Sequence, residues 1–156
     1  YDAVGVGAGV KSEANNIGTR RTRKNLPQRV KFHPFRGGSA VMHPDRKTEN
    51  GELNRDAYAN LKAQCYWELR RRFYNTFKAT NGMSYDPDLL ITIPSTLPNV
   101  HDVIMEISQP QITQTANGKM LIEKAPQGTR SPNIADALAM LMYSAHVRIK
   151  KVDIYQ

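Results

Sequence analysis

The chain has 156 residues, 40% of them hydrophobic, which is enough for one globular domain with a real core and short for two. Against 14 aspartates and glutamates stand 22 lysines and arginines, and the net charge of +8 suits a polyanionic partner, whether nucleic acid or an anionic membrane surface. No stretch approaches the ~20 apolar residues needed to span a bilayer, and no signal-like start is visible. The single cysteine, Cys65, excludes an internal disulfide framework and a multi-cysteine zinc site, and fits a reducing cytoplasm best.

In chain order, residues 1–7 read as a strand carrying Asp2, with glycines at 5, 7 and 9 leading into a short helix that ends near Ile17. Arg20, Arg21, Arg23, Lys24 and Arg29 cluster in a polar stretch, 18–29, which is expected as a loop, either solvated or against a DNA backbone. Residues 29–35 alternate as a second strand. Gly37, Gly38, Pro44, Asn50 and Gly51 then mark a long loop where mobile structure is expected.

The strongest helix is expected over 54–80, where Ala57, Leu61, Cys65, Leu69, Phe73 and Phe77 recur at four-residue spacing and Asn81-Gly82 provides a stop. Tyr58, Tyr66 and Trp67 widen its apolar face and read as core rather than as a base-stacking platform. Arg70, Arg71 and Arg72 are either a solvated face or phosphate contacts. Three prolines between 85 and 98 leave that segment irregular, and 99–107 can form a short helix. Residues 111–115 and 120–124 read as strands joined at Ala116-Asn-Gly118, the best short hairpin signal in the chain.

The last helix is expected over 132–147, with Ser131 as N-cap, Pro132 at the first position, and an apolar face of Ile134, Ala135, Leu138, Leu141 and Met142. Asp136 is a poor helix former, placed by this reading beyond the first turn, where the dipole no longer favours a carboxylate. A ligand role explains it better than helix stability does, and a solvated surface carboxylate is the alternative. The basic residues Arg148, Lys150 and Lys151 follow.

Asp2 ahead of the Gly5-Val-Gly-Ala-Gly9 turn, Glu106-Ile-Ser-Gln-Pro-Gln-Ile112, Gly118-Lys-Met-Leu-Ile-Glu-Lys124 and Arg130-Ser-Pro-Asn-Ile-Ala-Asp-Ala-Leu138 occur in that order. Together they resemble the nuclease domain of the large terminase subunit of headful-packaging tailed bacteriophages, through nearly the whole chain. The resemblance implies an RNase H-like α/β fold of the resolvase and integrase type, a mixed sheet flanked by helices, with residues 1–156 forming one nuclease domain. It implies a longer polypeptide, with an ATPase domain upstream followed by the first strand or strands of the sheet and a further catalytic aspartate. The activity implied is metal-dependent endonucleolytic cleavage of concatemeric double-stranded DNA during genome packaging. The small terminase subunit and the portal are the implied partners, and the implied location is the host cytoplasm, at the procapsid and not in the mature virion.

The same resemblance assigns catalysis and metal binding to Asp2 and Asp136, with a third ligand upstream of Tyr1. The cofactor would be Mg²⁺ or Mn²⁺, in a two-metal site. Carboxylates suit these hard cations, and two ions roughly 3.5–4 Å apart polarise an anionic phosphate, activate water and stabilise the leaving oxygen. Arg20, Arg21, Arg23, Lys24, Lys124 and Arg130 are the candidate DNA contacts; for Lys124 and Arg130 a solvated charge is an equal alternative.

Other chemistries fail on the residues. A dinucleotide fingerprint would need glycine where Val10 stands and an acidic residue about 20 positions later. No G-x-x-x-x-G-K-[ST] loop is present, so this segment should not hydrolyse ATP. His33, His43, His101 and His146 show no metal-ligand spacing, and no nucleophile–base pair is detectable. Two other readings stay open: a basic DNA-binding module that does not cut, and another RNase H-like enzyme such as a resolvase or transposase.

Overall fold

A computed structural model describes residues 8–24, 33–123, 128 and 131–144. In chain order these form α1 (Ala8–Arg23), the single turn α2 (Asn54–Ala57), α3 (Leu61–Thr80), a 3₁₀ turn at Pro87–Leu89, α4 (Val100–Ser108), the strands β1 (Gln111–Gln114) and β2 (Met120–Glu123), and α5 (Asn133–Ser144). The strand expected at 1–7 lies outside the described residues; of the one expected at 29–35, residues 33–35 contribute a single bridge residue, Phe35.

The first helix runs longer than expected. It continues to Arg23, so Arg20, Arg21 and Arg23 occupy its last turn rather than a loop. Arginine is a good helix former, and cations at a helix C-terminus meet the negative end of the macrodipole, which explains why this basic run stays helical. Thr19 and Thr22 donate their hydroxyls back to the carbonyls of Asn15 and Gly18, each at 3.0 Å.

The single helix expected over 54–80 is broken. Tyr58 is extended (φ −117°, ψ 137°), and Asn60 begins α3 as a true N-cap, its side chain accepting the Ala63 N–H at 2.9 Å. The break has a cause: Tyr58 bridges Met120, and the Ala59 N–H donates to the Met120 carbonyl at 2.8 Å. The hairpin thus takes backbone groups that a continuous helix would have used. The first N–H groups of α3 are satisfied by the preceding loop, Leu61 donating to the Ser39 carbonyl at 2.8 Å and Lys62 to that of Gly37 at 2.9 Å.

That loop was expected to be mobile, and instead it is pinned. The buried Gln64 amide accepts the Met42 N–H at 2.6 Å and donates to the Met42 carbonyl at 3.0 Å, while the buried Asn54 amide donates to the carbonyls of Met42 and His43 at 3.1 and 3.0 Å. Two side-chain amides therefore do for this loop what a sheet ladder would do for a strand.

The core lies where α3 meets α5. Leu61, Cys65, Tyr66 and Leu69 from α3 pack with Phe35 and with Ala135, Ala139 and Met142 of α5. Ala135 and Ala139, one turn apart and almost fully buried, let the two helices approach closely. α4 packs against α5, and the expected β1–β2 hairpin pairs antiparallel, with Gln111 opposite Glu123 and Gln114 opposite Met120. Gly118 supplies the positive φ (76°) that its turn requires. Two residues of the expected apolar faces stay outside: Phe77 is 53% exposed and Leu141 56%. Among the described residues the sheet has only these two strands.

Candidate functional site

Three helices converge on Asp136. From α3, the Tyr66 hydroxyl donates to Asp136 Oδ1 at 2.8 Å, across 70 positions of sequence. From α4, Glu106 Oε2 accepts the Ile134 N–H at 2.5 Å. α5 itself opens with the Asp136 N–H donating to the Pro132 carbonyl at 2.9 Å.

This arrangement adds one contact and corrects one expectation. The first-turn N–H of Ile134 is held by Glu106 of a neighbouring helix, a cap with no sign in the sequence. Because α5 begins at Asn133, Asp136 lies in its first turn, where the dipole does favour a carboxylate. Helix position alone is therefore weaker evidence for a ligand role. Its tertiary setting is distinct from an ordinary surface carboxylate: Asp136 is half-buried and accepts a bond from a buried phenol.

The electrostatics keep that bond in one sense. Tyr66 is only 7% exposed, and burial pushes its pKa far up; the hydrogen bond to Asp136 and the charges of Asp136 and Glu106 push it the same way. Tyr66 is thus a permanent donor. The Lys62 ammonium lies 5.8 Å from the centre of the Tyr66 ring. Beside the site runs a cleft of about 610 Å³ lined by Tyr66, Arg70, Phe73, Ile112, Ile122 and Ala135 among others. Asp136 does not line this cleft, and its apolar walls suit neither phosphate nor metal.

The other expected site residues divide sharply. Asp2, Lys124 and Arg130 lie outside the described residues, so the pairing of Asp2 with Asp136 is neither made nor broken. Arg20 is solvent-facing with Glu13 4.0 Å away, and Arg23 and Lys24 are exposed. Of the ambiguous arginine triplet, Arg71 is committed to Glu49 and Glu68 at 2.5 and 2.7 Å, Arg72 faces Glu68 at 3.6 Å, and Arg70 stacks over Trp67 at 4.8 Å. The triplet is largely structural. Burial pushes the Cys65 thiol up to about 12, in keeping with a core residue rather than a nucleophile.

Sequence reasoning missed Tyr66 and Glu106 as site residues. Tyr66 was read as core, and nothing in its local spacing reveals an acceptor 70 residues away. The one available signal was chemical: a phenol on a buried helix face needs a partner for its O–H. Asp136 supplies hard oxygen donors of the kind that Mg²⁺, Mn²⁺ and Ca²⁺ take. Among the described residues no group of three or more His, Cys, Asp or Glu could hold a metal, so Asp136 would need ligands from elsewhere.

Comparison with solved structures decides the relationship. The nuclease domain of the large terminase subunit of bacterial virus Sf6 superimposes with a TM-score of 0.74 at 27% identity, over 90% of this chain and 62% of that one. The chain is a structural relative of the large-terminase nuclease domain. A point mutant of the Sf6 domain with manganese and β-thujaplicinol matches with a TM-score of 0.75, and one with calcium with 0.73, both at 27% identity. The chain spans about 62% of the length of these solved terminase domains. No family model and no curated protein matches it. The fold class is RNase H-like, as in the terminase nuclease domains, and the described residues hold its helices and one antiparallel hairpin. None of the described helices is long and apolar enough to cross a membrane.

Proposed function

We propose that this chain is the C-terminal nuclease domain of a large terminase subunit, or most of one, and that it cuts concatemeric double-stranded DNA during viral genome packaging. The observation that carries this reading is the match to terminase nuclease domains over 90% of the chain, with the Arg130–Leu138 segment supplying a partly buried carboxylate at Asp136. Asp136 and Asp2 would hold Mg²⁺ or Mn²⁺ with a further carboxylate from upstream. When bound, the divalent ions supply charge that stabilises the phosphate and its leaving oxygen. Asp136 contributes an oxygen donor that Tyr66 keeps oriented. An upstream ATPase domain, the small terminase subunit and the portal are the partners in this reading, at the procapsid in the host cytoplasm. Sequence preference should be low, because the chain offers phosphate-binding charge and no base-reading motif.

The reading is tested by Mg²⁺- or Mn²⁺-dependent nicking of supercoiled plasmid by the complete polypeptide that carries this sequence. DNA binding without metal-dependent nicking would favour a non-catalytic basic module; a preference for branched DNA would favour a resolvase-like enzyme. The carboxylates of Asp2 and Asp136 should lie within roughly 4–8 Å of each other, close enough to share one or two metals. A crystal structure with Mn²⁺ that placed them on opposite faces would remove Asp2 from the site.

The basic end of α1 makes a separate expectation. Neutralising Arg20, Arg21, Arg23 and Lys24 together should weaken DNA binding at every sequence and flatten its dependence on salt by roughly one unit of slope per lost phosphate contact. Filter binding across a salt series reads this directly. An unchanged slope would assign these charges to helix-end stabilisation alone.

A further inference from the structure

We propose that Tyr66 is the positioning residue for Asp136, fixing one oxygen of the α5 carboxylate from α3 so that a divalent metal meets a ligand already oriented; this rests on the nuclease reading above. The geometry has two parts. The Tyr66 hydroxyl lies 2.8 Å from Asp136 Oδ1 on a ring that is itself core, so the donor cannot drift. Two residues before Asp136, the Ile134 N–H is held by Glu106 at 2.5 Å, which anchors the start of α5 against α4. One bond sets the carboxylate's orientation, and the other sets the helix end from which it projects. Outer-shell partners of this kind fix metal-ligating carboxylates, and their removal typically costs 10–100-fold in metal affinity.

The competing account is that Tyr66 is a buried phenol that found an acceptor, and that its bond stabilises the fold and nothing more. The two accounts differ in what Tyr66→Phe does to metal binding. That substitution keeps the ring and its packing and removes only the donor. With positioning, Mn²⁺ binding to the complete polypeptide, measured by calorimetry, weakens about 10–100-fold, and the Mn²⁺ concentration that gives half-maximal cleavage rises by a similar factor. Glu106→Gln, which keeps an acceptor for the Ile134 N–H, should retain more Mn²⁺ affinity than Glu106→Ala. In the unaltered protein carrying ring-labelled tyrosine, Mn²⁺ should broaden the Tyr66 resonances, because the ring sits one hydrogen bond from the ligand. Wild-type Mn²⁺ affinity in folded Tyr66→Phe overturns the inference. So does the absence of broadening at Tyr66, a result that needs no variant to fold. Failure of the nuclease reading looks different: Asp136→Asn would then also leave Mn²⁺ affinity unchanged, and both statements would fall together.

Discussion

Asp136→Asn in the complete polypeptide should lower cleavage about 10³-fold or more, because it removes a charge that a divalent metal needs and with it several kcal/mol of transition-state stabilisation. The substitution is clean. Asparagine keeps a carbonyl oxygen to accept the Tyr66 hydroxyl, so the α3–α5 contact survives. The loss of a first-turn carboxylate should cost at most about 1 kcal/mol of stability through the helix dipole. DNA affinity measured without metal should stay the same or rise slightly, since one negative charge has left the phosphate path. Plasmid nicking, fluorescence anisotropy with EDTA and thermal unfolding together separate these effects. Full cleavage by the variant would sink the mechanism and leave a DNA-binding module as the better account.

Leu69→Ala should be the most damaging of simple core truncations, lowering the free energy of unfolding by about 2–5 kcal/mol. Leu69 is 4% exposed and belongs to the α3 surface that meets Ala135 and Ala139 of α5, both too small to fill the space it would leave. Leu141→Ala is the matched control. It lies on the same helix as those alanines, yet its side chain is 56% exposed, and the change should stay within about 0.5 kcal/mol. Urea unfolding curves with unchanged slopes would read both. Equal effects at the two positions would mean that α3 and α5 do not pack as described. Weakened packing there should also loosen the Tyr66–Asp136 bond, so Leu69→Ala is expected to lose activity beyond what its folded fraction explains.

Local chemistry made several elements legible. Asn117-Gly118 announced the hairpin, Asn81-Gly82 the end of α3, and the 132–147 periodicity the helix that carries Asp136, because turn and helix signals act over a few residues and need no partner. The order of the motif blocks also carried the family resemblance to which the solved terminase domains correspond. What stayed hidden depends on groups brought together from far apart. The break at Tyr58 exists because Met120 competes for its backbone, and the pinned loop exists because Gln64 and Asn54 turn their amides onto Met42. The extent of α1 was missed for a different reason: a basic run reads equally as loop or helix until the dipole it completes is in view. At the site, residues 130–138 raised Asp136 only as a candidate beside a plain surface carboxylate, and the family resemblance gave it an expected role. Only the packing of α3 and α4 against α5 decided that Tyr66 would hold it and that Glu106 would cap its helix, because a hydrogen bond spanning 70 residues leaves no periodic trace in the chain.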